Sequence, residues 1–151
     1  MSEYRIEKIR RRLRLALTDG TQLEGDVFLR PVSRYLPRPE EPADLLNDSE
    51  PFFALDRAGE ALLVAKRHVM SVELPVPEQD DSNFAALGVP VEITLSDGSV
   101  CTGSVFLETR TERPRLMDYL NGFDAGFLPV VDATKVLLLN RDMIAHVREV
   151  A

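Results

Sequence analysis

One thirteen-residue stretch occurs twice in this chain, and that repeat limits the possible folds more than any other feature. "LTDGTQLEGDVFL" occupies residues 17–29, and "LSDGSVCTGSVFL" occupies residues 95–107. Seven of the thirteen positions are identical, and two of the others exchange Thr for Ser. Further on, the element D-x-L-N occurs at 44–47 and again at 118–121. A chain of 151 residues with this spacing is expected to contain two related units, each of roughly 70 residues.

The two units also align near their ends. "LLVAKRHVMSV" (62–72) aligns with "VLLLNRDMIAH" (136–146) at an offset of 74, which places Arg67 on Arg141. Between the units, "PVPEQDDSNFAALG" is rich in Pro, Asp and Ser, as domain linkers are. We therefore predict a first domain over residues 1–75, a linker over 76–88 and a second domain over 89–151.

Hydrophobic residues in each unit recur with the period of a strand. Leu13, Leu15 and Leu17 alternate with less apolar residues, which predicts a half-buried strand. An Asp-Gly pair follows in both units and favours a tight hairpin, because glycine accepts the positive φ that the turn needs. Gly25 and Gly103 then interrupt the second strand of each unit, which predicts a bend there.

The pattern predicts an all-β fold with five short strands in each unit. The third to fifth strands are expected at 51–56, 60–67 and 68–74, and at 126–131, 134–140 and 142–149. Short helical turns are expected near 43–47 and 115–121, where the repeated Asn would end the turn in a left-handed conformation or line a ligand site. A bent second strand allows a small sheet to close, so we predict two barrels packed as a pseudo-dimer. Phe28 and Phe106 are the predicted residues of the seam between them.

Two segments resemble the Sm-like family of small barrels, which includes bacterial Hfq. "VEITLSDGSVCTGSV" is similar to the first motif of the family, and "VAKRHVMSVEL" is similar to the closing segment of Hfq. The resemblance implies two tandem five-stranded Sm-like or SH3-like barrels, in a family that assembles into rings. It also implies RNA contacts at Lys66, Arg67, His68 and Arg141. The D-x-L-N element in addition resembles a D-F-L-N element of uncharacterised bacterial proteins with small repeated domains.

The composition restricts the class of partner. The formal net charge is −7, which argues against a general electrostatic grip on nucleic acid and leads us to expect no DNA partner. A single cysteine cannot form an internal disulfide, and the apolar runs are too short for a membrane span, so a cytoplasmic protein is expected. Metal-ligand spacing, a phosphate-binding loop and a nucleophile–base signature are all missing from the sequence. We therefore expect no catalytic residues, no metal and no cofactor.

Two groups of arginines could bind an anionic partner. The first lies along the first strand and consists of Arg10, Arg11, Arg12 and Arg14. The second lies near the D-x-L-N elements and consists of Arg30, Arg34, Arg38, Arg110, Arg113 and Arg115. Arginine forks suit phosphates, so this loop cluster suggests a nucleotide-sensing domain as one alternative. A solvated outer face is the other interpretation of both groups.

These observations favour a non-catalytic binding or assembly module that acts through protein–protein contacts. Exposed edge strands of small barrels are natural docking sites, so a protein partner or self-association is expected. RNA binding, through the residues that the resemblance implies and the arginines of the first strand, is the second candidate. Nucleotide sensing is the third.

Overall fold

The computed structural model describes five segments of the chain, residues 8–32, 37–75, 86–108, 116–122 and 126–150. The chain forms two compact units, Met1–Met70 and Ser71–Ala151. The boundary between the units falls within a strand, and most of the predicted linker lies outside the described residues. Its last three residues belong to a strand that begins at Ala86.

The described elements confirm the all-β prediction, and they follow the same order in both halves. The first half contains β1 (Ile9–Leu17), β2 (Gln22–Leu29), α1 (Pro42–Asn47), β3 (Phe52–Arg57), β4 (Glu60–Ala65), a 3-10 turn (Lys66–His68) and β5 (Val69–Pro75). The second half contains β6 (Ala86–Leu95), β7 (Val100–Glu108), α2 (Leu116–Gly122), β8 (Phe127–Val131), β9 (Lys135–Asn140), a 3-10 turn (Arg141–Met143) and β10 (Ile144–Glu149). Both short helices lie where they were predicted, and each 3-10 turn lies at the predicted boundary between the fourth and fifth strands.

Every described strand pair is antiparallel. In the first unit the strand order is β5-β1-β2-β3-β4, and in the second it is β10-β6-β7-β8-β9-β5. The prediction of closed barrels is wrong, because no pairing among the described strands joins the two ends of either series. The reason lies in the connection: a 3-10 turn of three residues lets β5 leave β4 and take its place beside β1, at the other edge.

The two Asp-Gly turns have the predicted hairpin geometry. Gly20 and Gly98 have φ values of 90° and 88°. Asp19 Oδ1 accepts the backbone N–H of Thr21 at 2.9 Å, and Asp97 Oδ1 accepts that of Ser99 at 2.9 Å. These hydrogen bonds to the ionised carboxylates lower the pKa of both side chains, that of Asp97 mainly through the Ser99 hydroxyl. Both aspartates are therefore accounted for by the turn.

Gly25 and Gly103 lie where a neighbouring strand approaches the second strand of each half. A Cβ at Gly25 would lie 2.6 Å from the carbonyl oxygen of Asp56, and a Cβ at Gly103 would lie 2.8 Å from that of Val131. Only a residue without a side chain allows this approach. The glycines are thus required by the crossing of β2 with β3 and of β7 with β8, which is the predicted bend.

The core of each unit consists of alternate side chains from its strands, since successive residues of a strand face opposite sides. Val27, Leu29 and Leu55 are fully buried in the first unit, as are Ile93 and Leu107 in the second. Phe28 instead is 38% exposed, and the guanidinium of Arg10 lies 5.1 Å from its ring centre. The role of Phe28 and Phe106 in a seam remains a prediction.

The structure corrects the alignment of the last three strands of the two halves. Phe52 and Phe127 open β3 and β8, so the offset is 75 and not 74. The first residue of each 3-10 turn agrees with this offset. The Lys66 amide donates to Pro51 O at 2.9 Å, and the Arg141 amide donates to Gly126 O at 2.8 Å. A sequence alignment slips easily here, because leucines fill consecutive positions of β9. Lys66 therefore corresponds to Arg141, and Arg67 does not.

Helix α1 is held at its N-terminus by Asp44. Its carboxylate accepts two hydrogen bonds from the Arg38 guanidinium, at 2.7 and 3.2 Å, and one from the Glu41 amide at 2.8 Å. Partial burial would raise the pKa of Asp44, but these hydrogen bonds and the charge of Arg38 outweigh it and hold the pKa below its ordinary value. The expected left-handed Asn47 is wrong, since among the described non-glycine residues only Ala58 has a positive φ. The helix ends instead at Asp48 in an extended conformation.

Replacing Asp44 with alanine is expected to lower the free energy of unfolding by about 1 kcal/mol at neutral pH. The folded-state pKa lies below the unfolded value, so this contribution is present above about pH 4 and is lost as the pH falls through the folded pKa. Urea unfolding of both proteins at pH 7 and near pH 3 measures the difference. A loss that stayed constant across this range would assign the effect to packing and not to the carboxylate.

Candidate functional site

Strand β4 lies at the open edge of the first unit. Among the described strands it pairs with β3 alone, in a register from Phe52↔Ala65 to Arg57↔Glu60. Its outer backbone groups therefore have no strand partner within the described residues. An edge of this kind is a template on which another strand can add. Strand β10, which pairs with β6 alone among the described strands, is the open edge of the second unit.

Apolar side chains are exposed along the β4 edge. Leu63 is 71% exposed, the largest exposed fraction among the large apolar side chains described. Charged residues or proline usually protect an open edge, and the four residues from Leu62 to Ala65 include neither. On an open edge, such a side chain presents apolar surface that an added strand could cover.

A groove lies beside this edge, within the first unit. It has a volume of about 530 Å³ and is lined mainly by apolar side chains of β4 and of the β1–β2 hairpin. Three polar residues, Thr18, Asp19 and His68, complete the lining. The apolar lining residues are Leu17, Leu23, Leu62, Leu63, Val64 and Ala65. The groove is open to solvent and can receive side chains from an added strand.

The corresponding strand of the second unit shows what a covered edge looks like. Strand β9 pairs on one side with β8 and on the other with β5, from Ser71↔Leu139 to Pro75↔Lys135. Leu138, which corresponds to Leu63 at the offset of 75, is only 2% exposed. Leu63 is therefore exposed on a strand with one described neighbour, and Leu138 is buried on a strand with two.

The residues that the Sm-like resemblance assigned to RNA lie on the two 3-10 turns. Lys66 is 7% exposed, and its Nζ lies 2.5 Å from Asp48 Oδ1, so this ammonium is already paired and largely shielded from solvent. Arg67 and His68 are exposed, and Arg67 Nε donates to His68 Nε2 at 3.3 Å. Arg141 lies in the second unit and is half-buried. On the first turn, Arg67 and His68 are therefore much more accessible to an anion than Lys66 is.

The arginines of β1 form a ladder of ion pairs with acidic residues on the same polar face. Arg10 lies 3.4 Å from Asp26 and 3.3 Å from Asp56, and Arg12 lies 3.0 Å from Glu24. Arg14 lies 3.7 Å from Glu24, whereas Arg11 points to the other face of the strand and is exposed. These pairs neutralise much of the positive charge that the sequence places on the strand.

Two of the six loop arginines are described. Arg38 is held by Asp44 in the bidentate pair given above, which raises the pKa of Arg38 through the hydrogen bonds to that carboxylate. Arg30 is half-buried, and its backbone amide donates to Glu40 Oε1 at 3.1 Å. The remaining members, Arg34, Arg110, Arg113 and Arg115, lie outside the described residues.

Groups that could support catalysis or metal binding are sparse in the described segments. Cys101 is half-buried, and burial raises the pKa of its thiol, which keeps it protonated and weakly nucleophilic. Residues 8–32, 37–75, 86–108, 116–122 and 126–150 contain no cluster of three His, Cys, Asp or Glu side chains that could hold a metal ion. No α-helix in these segments has the length and apolar character needed to cross a membrane.

Sequence reasoning did not single out β4 as a candidate site. The segment "EALLVA" has the composition of an ordinary half-buried strand, and it lies at an edge because the next strand, β5, pairs with β1 and β9 and not with β4. The available signal was a difference between the two fourth strands. Strand β4 begins with Glu60 and Ala61 before its leucines, whereas "KVLLLN" of β9 is more apolar. That contrast gains meaning only once the strand order is known.

Searches against protein-family models, curated proteins and solved structures found no match for this chain.

Proposed function

We propose that this chain is a non-catalytic assembly module that docks a strand of a protein partner on the open edge β4. The observation that carries the proposal is the exposure of Leu63 on a strand with one described neighbour, where Leu138 on its doubly paired counterpart is buried. Strand addition would use the outer backbone groups of β4 for affinity. The adjoining groove would receive alternate side chains of the partner and provide specificity.

We further propose that the two halves are copies of one five-stranded unit that resembles the Sm-like fold. The identical order of elements, the two 3-10 turns and the two close-approach glycines support this origin. Equivalent turn bonds, from Thr18 N to His68 O and from Ser96 N to Met143 O, support it as well. In this view the copies have diverged in how their fourth strands are covered, and that divergence leaves β4 available for docking.

RNA binding and nucleotide sensing are less well supported than protein docking. Both need cations that are free to meet phosphates. Lys66, Arg10, Arg12 and Arg38 are each engaged by a carboxylate of this chain. The formal net charge of −7 opposes a polyanion at long range. The apolar β4 edge suits a protein strand better than a phosphate backbone.

Site-specific photo-crosslinking tests this function. A photoreactive amino acid at position 63 is expected to give crosslinked protein adducts in cells, because a docked strand would lie within contact distance of that side chain. Val100 provides a matched control, since it is also an exposed apolar strand residue, at 55% exposure, but lies on β7, which is paired on both sides. Adducts are expected at position 63 and not at position 100.

Mass spectrometry of the adducts distinguishes the alternatives. Protein peptides crosslinked at position 63 support docking on β4, whatever the partner. Nucleic acid at position 63, or no adduct there in cells that express the chain at its natural level, would contradict it. Equal yields at positions 63 and 100 would show only random encounters and would also count against a specific edge.

A further inference from the structure

The β3–β4 hairpin determines which backbone groups of β4 point outward. Its loop has two residues, 58–59, and Arg57 lies opposite Glu60 on the two sides of that loop. A two-residue loop closes on a hydrogen-bonded pair, and such pairs then alternate along an antiparallel ladder. The Lys66 amide, which donates to Pro51 O at 2.9 Å, continues this alternation beyond β4. The residues of β4 that hydrogen-bond to β3 are therefore Glu60, Leu62 and Val64.

The other three residues of β4, Ala61, Leu63 and Ala65, direct their backbone groups away from β3. Their side chains lie on the outer face of the hairpin, where Leu63 is 71% exposed. This apolar surface continues on β3, because Ala54 lies opposite Leu63, and Phe52, which is 56% exposed, lies opposite Ala65. A strand added to β4 would therefore meet outward backbone groups and apolar side chains along the same stretch.

Charged groups of opposite sign lie at the two ends of β4. Its first residue, Glu60, is exposed, and the 3-10 turn after its last residue exposes Arg67 and His68. Two such strands laid antiparallel bring the acidic end of each beside the basic end of the other, with the uncharged residues between them. A parallel arrangement would instead place Glu60 beside Glu60, and like charges on facing strands are destabilising. The edge is thus complementary to a second, antiparallel copy of itself.

The other open edge among the described strands, β10, has a different character. Its exposed side chains include His146, Arg148 and Glu149, and the Arg148 guanidinium lies 3.0 Å from Glu92 of β6. Charged side chains on an edge oppose the addition of another strand. Of these two edges, β4 is therefore the one that suits an apolar strand.

We infer that β4 of one molecule of this chain pairs antiparallel with β4 of a second molecule, about a two-fold axis at Leu63. This inference rests on the proposed docking function of β4 and names the partner. In this register Leu63 lies opposite Leu63 of the second molecule, and Ala61 lies opposite its Ala65, so the outward backbone groups of the two edges meet. The two Leu63 side chains would cover each other, and Glu60 of each molecule would lie beside Arg67 of the other.

The same register brings the second molecule to the groove beside β4. Leu62 of each molecule lies opposite Val64 of the other, and both residues are among those that line the groove. Leu62 of the second molecule is thus placed to fill apolar space that one molecule leaves open to solvent. Because the two surfaces are the same, the contact is isologous and closes at two molecules.

Cysteine substitutions test the register, in a chain whose natural cysteine is removed by Cys101→Ser. Residues of a hydrogen-bonded antiparallel pair have Cα atoms about 5.5 Å apart, within the range of about 4.4–6.8 Å that disulfides span. Leu63→Cys should therefore give a disulfide-linked dimer on mild oxidation with oxidised glutathione, visible on a non-reducing gel. Ala61→Cys is the matched control, since its two cysteines would lie about 13 Å apart along the strands and should not crosslink. Mixing the Ala61→Cys and Ala65→Cys variants should restore the crosslink.

Sedimentation velocity over a range of protein concentrations at low salt tests the partner. The wild-type chain should form a species of about twice the 16.9 kDa monomer mass and no larger one. Glu60→Lys and Arg67→Glu should each weaken dimerisation about tenfold, because each replaces attraction by repulsion at both ends of the contact. The double variant should recover wild-type dimerisation, and so should an equimolar mixture of the single variants, because a mixed dimer pairs opposite charges at both ends. Glu149→Lys reverses an exposed charge on β10 and should leave dimerisation unchanged.

A wild-type chain that stayed monomeric at all concentrations would overturn the inference, and so would one that assembled beyond the dimer. Crosslinking of Leu63→Cys no stronger than that of Ala61→Cys would also overturn it, as would charge variants that dimerised like the wild type or a double variant that did not recover. In any of these cases, photo-crosslinks from position 63 to a different protein would leave the docking function of β4 standing. Absence of such photo-crosslinks as well would reject both.

Discussion

Replacing Gly25 with alanine is expected to lower the free energy of unfolding by about 2–3 kcal/mol. The added Cβ would lie 2.6 Å from the Asp56 carbonyl oxygen and 3.0 Å from Leu55 Cγ. Backbone cannot rotate away as a side-chain end can, and Leu55 is fully buried, so β2 and β3 must separate. Urea unfolding followed by circular dichroism measures the loss.

Gly122→Ala is the matched control for this prediction. Gly122 is the last residue of α2, its φ is not positive, and nothing lies within 4 Å of an added Cβ. Alanine there should be neutral or stabilising by a few tenths of a kcal/mol, because alanine favours helix. Gly103→Ala should reproduce the loss in the second unit, since its Cβ would lie 2.8 Å from Val131 O. A cost for Gly25→Ala no larger than that of the control would contradict the close approach.

Leu138→Ala and Leu63→Ala are expected to differ strongly, although the two leucines occupy corresponding positions. Leu138 is 2% exposed between two strands, so its truncation leaves a cavity and should cost about 2–4 kcal/mol. Leu63 is 71% exposed, and its truncation in the dilute chain should change stability by less than about 0.5 kcal/mol. Urea unfolding at low protein concentration measures both values.

The same pair of variants separates folding from docking. If β4 docks a strand, Leu63→Ala should reduce crosslinking from a photoreactive amino acid placed at the exposed position 61 of β4, while its stability stays close to that of the wild type. Leu138→Ala should show the reverse, a large loss of stability at every protein concentration. Equal costs for the two leucines in the dilute chain would mean that Leu63 is packed in the monomer, and β4 would then be no docking edge.

Much of the local structure followed from short-range patterns. The alternation of leucines in β1, the Asp-Gly turns and the glycines at 25 and 103 each depend on the geometry of a few adjacent residues. For that reason the predicted hairpins, bends and helical turns agree with the structure. The alignment of the last strands was wrong by one residue, because consecutive leucines in β9 align equally well in two registers.

The candidate site was less accessible to sequence reasoning. Lys66 was assigned to anion binding by the Sm-like resemblance and Arg10 by the charge of the first strand, and the structure pairs Lys66 with Asp48 and Arg10 with Asp26 and Asp56. Those partners lie up to 46 positions away, so no local pattern announces them. The residues of the β4 edge were passed over because leucine in a strand is normally buried.

The sequence by itself determined that the chain is all-β, that its halves follow one plan, and where each strand turns, since these properties depend on residue periodicity and turn chemistry. Only the tertiary structure decided that the sheets stay open, that β5 covers β9, and that β4 and β10 remain edges among the described strands. The physical reason is that strand pairing joins backbone groups from distant segments, and every backbone carries the same donors and acceptors. Which strand becomes an edge is therefore set by the whole arrangement, and with it the exposure of Leu63.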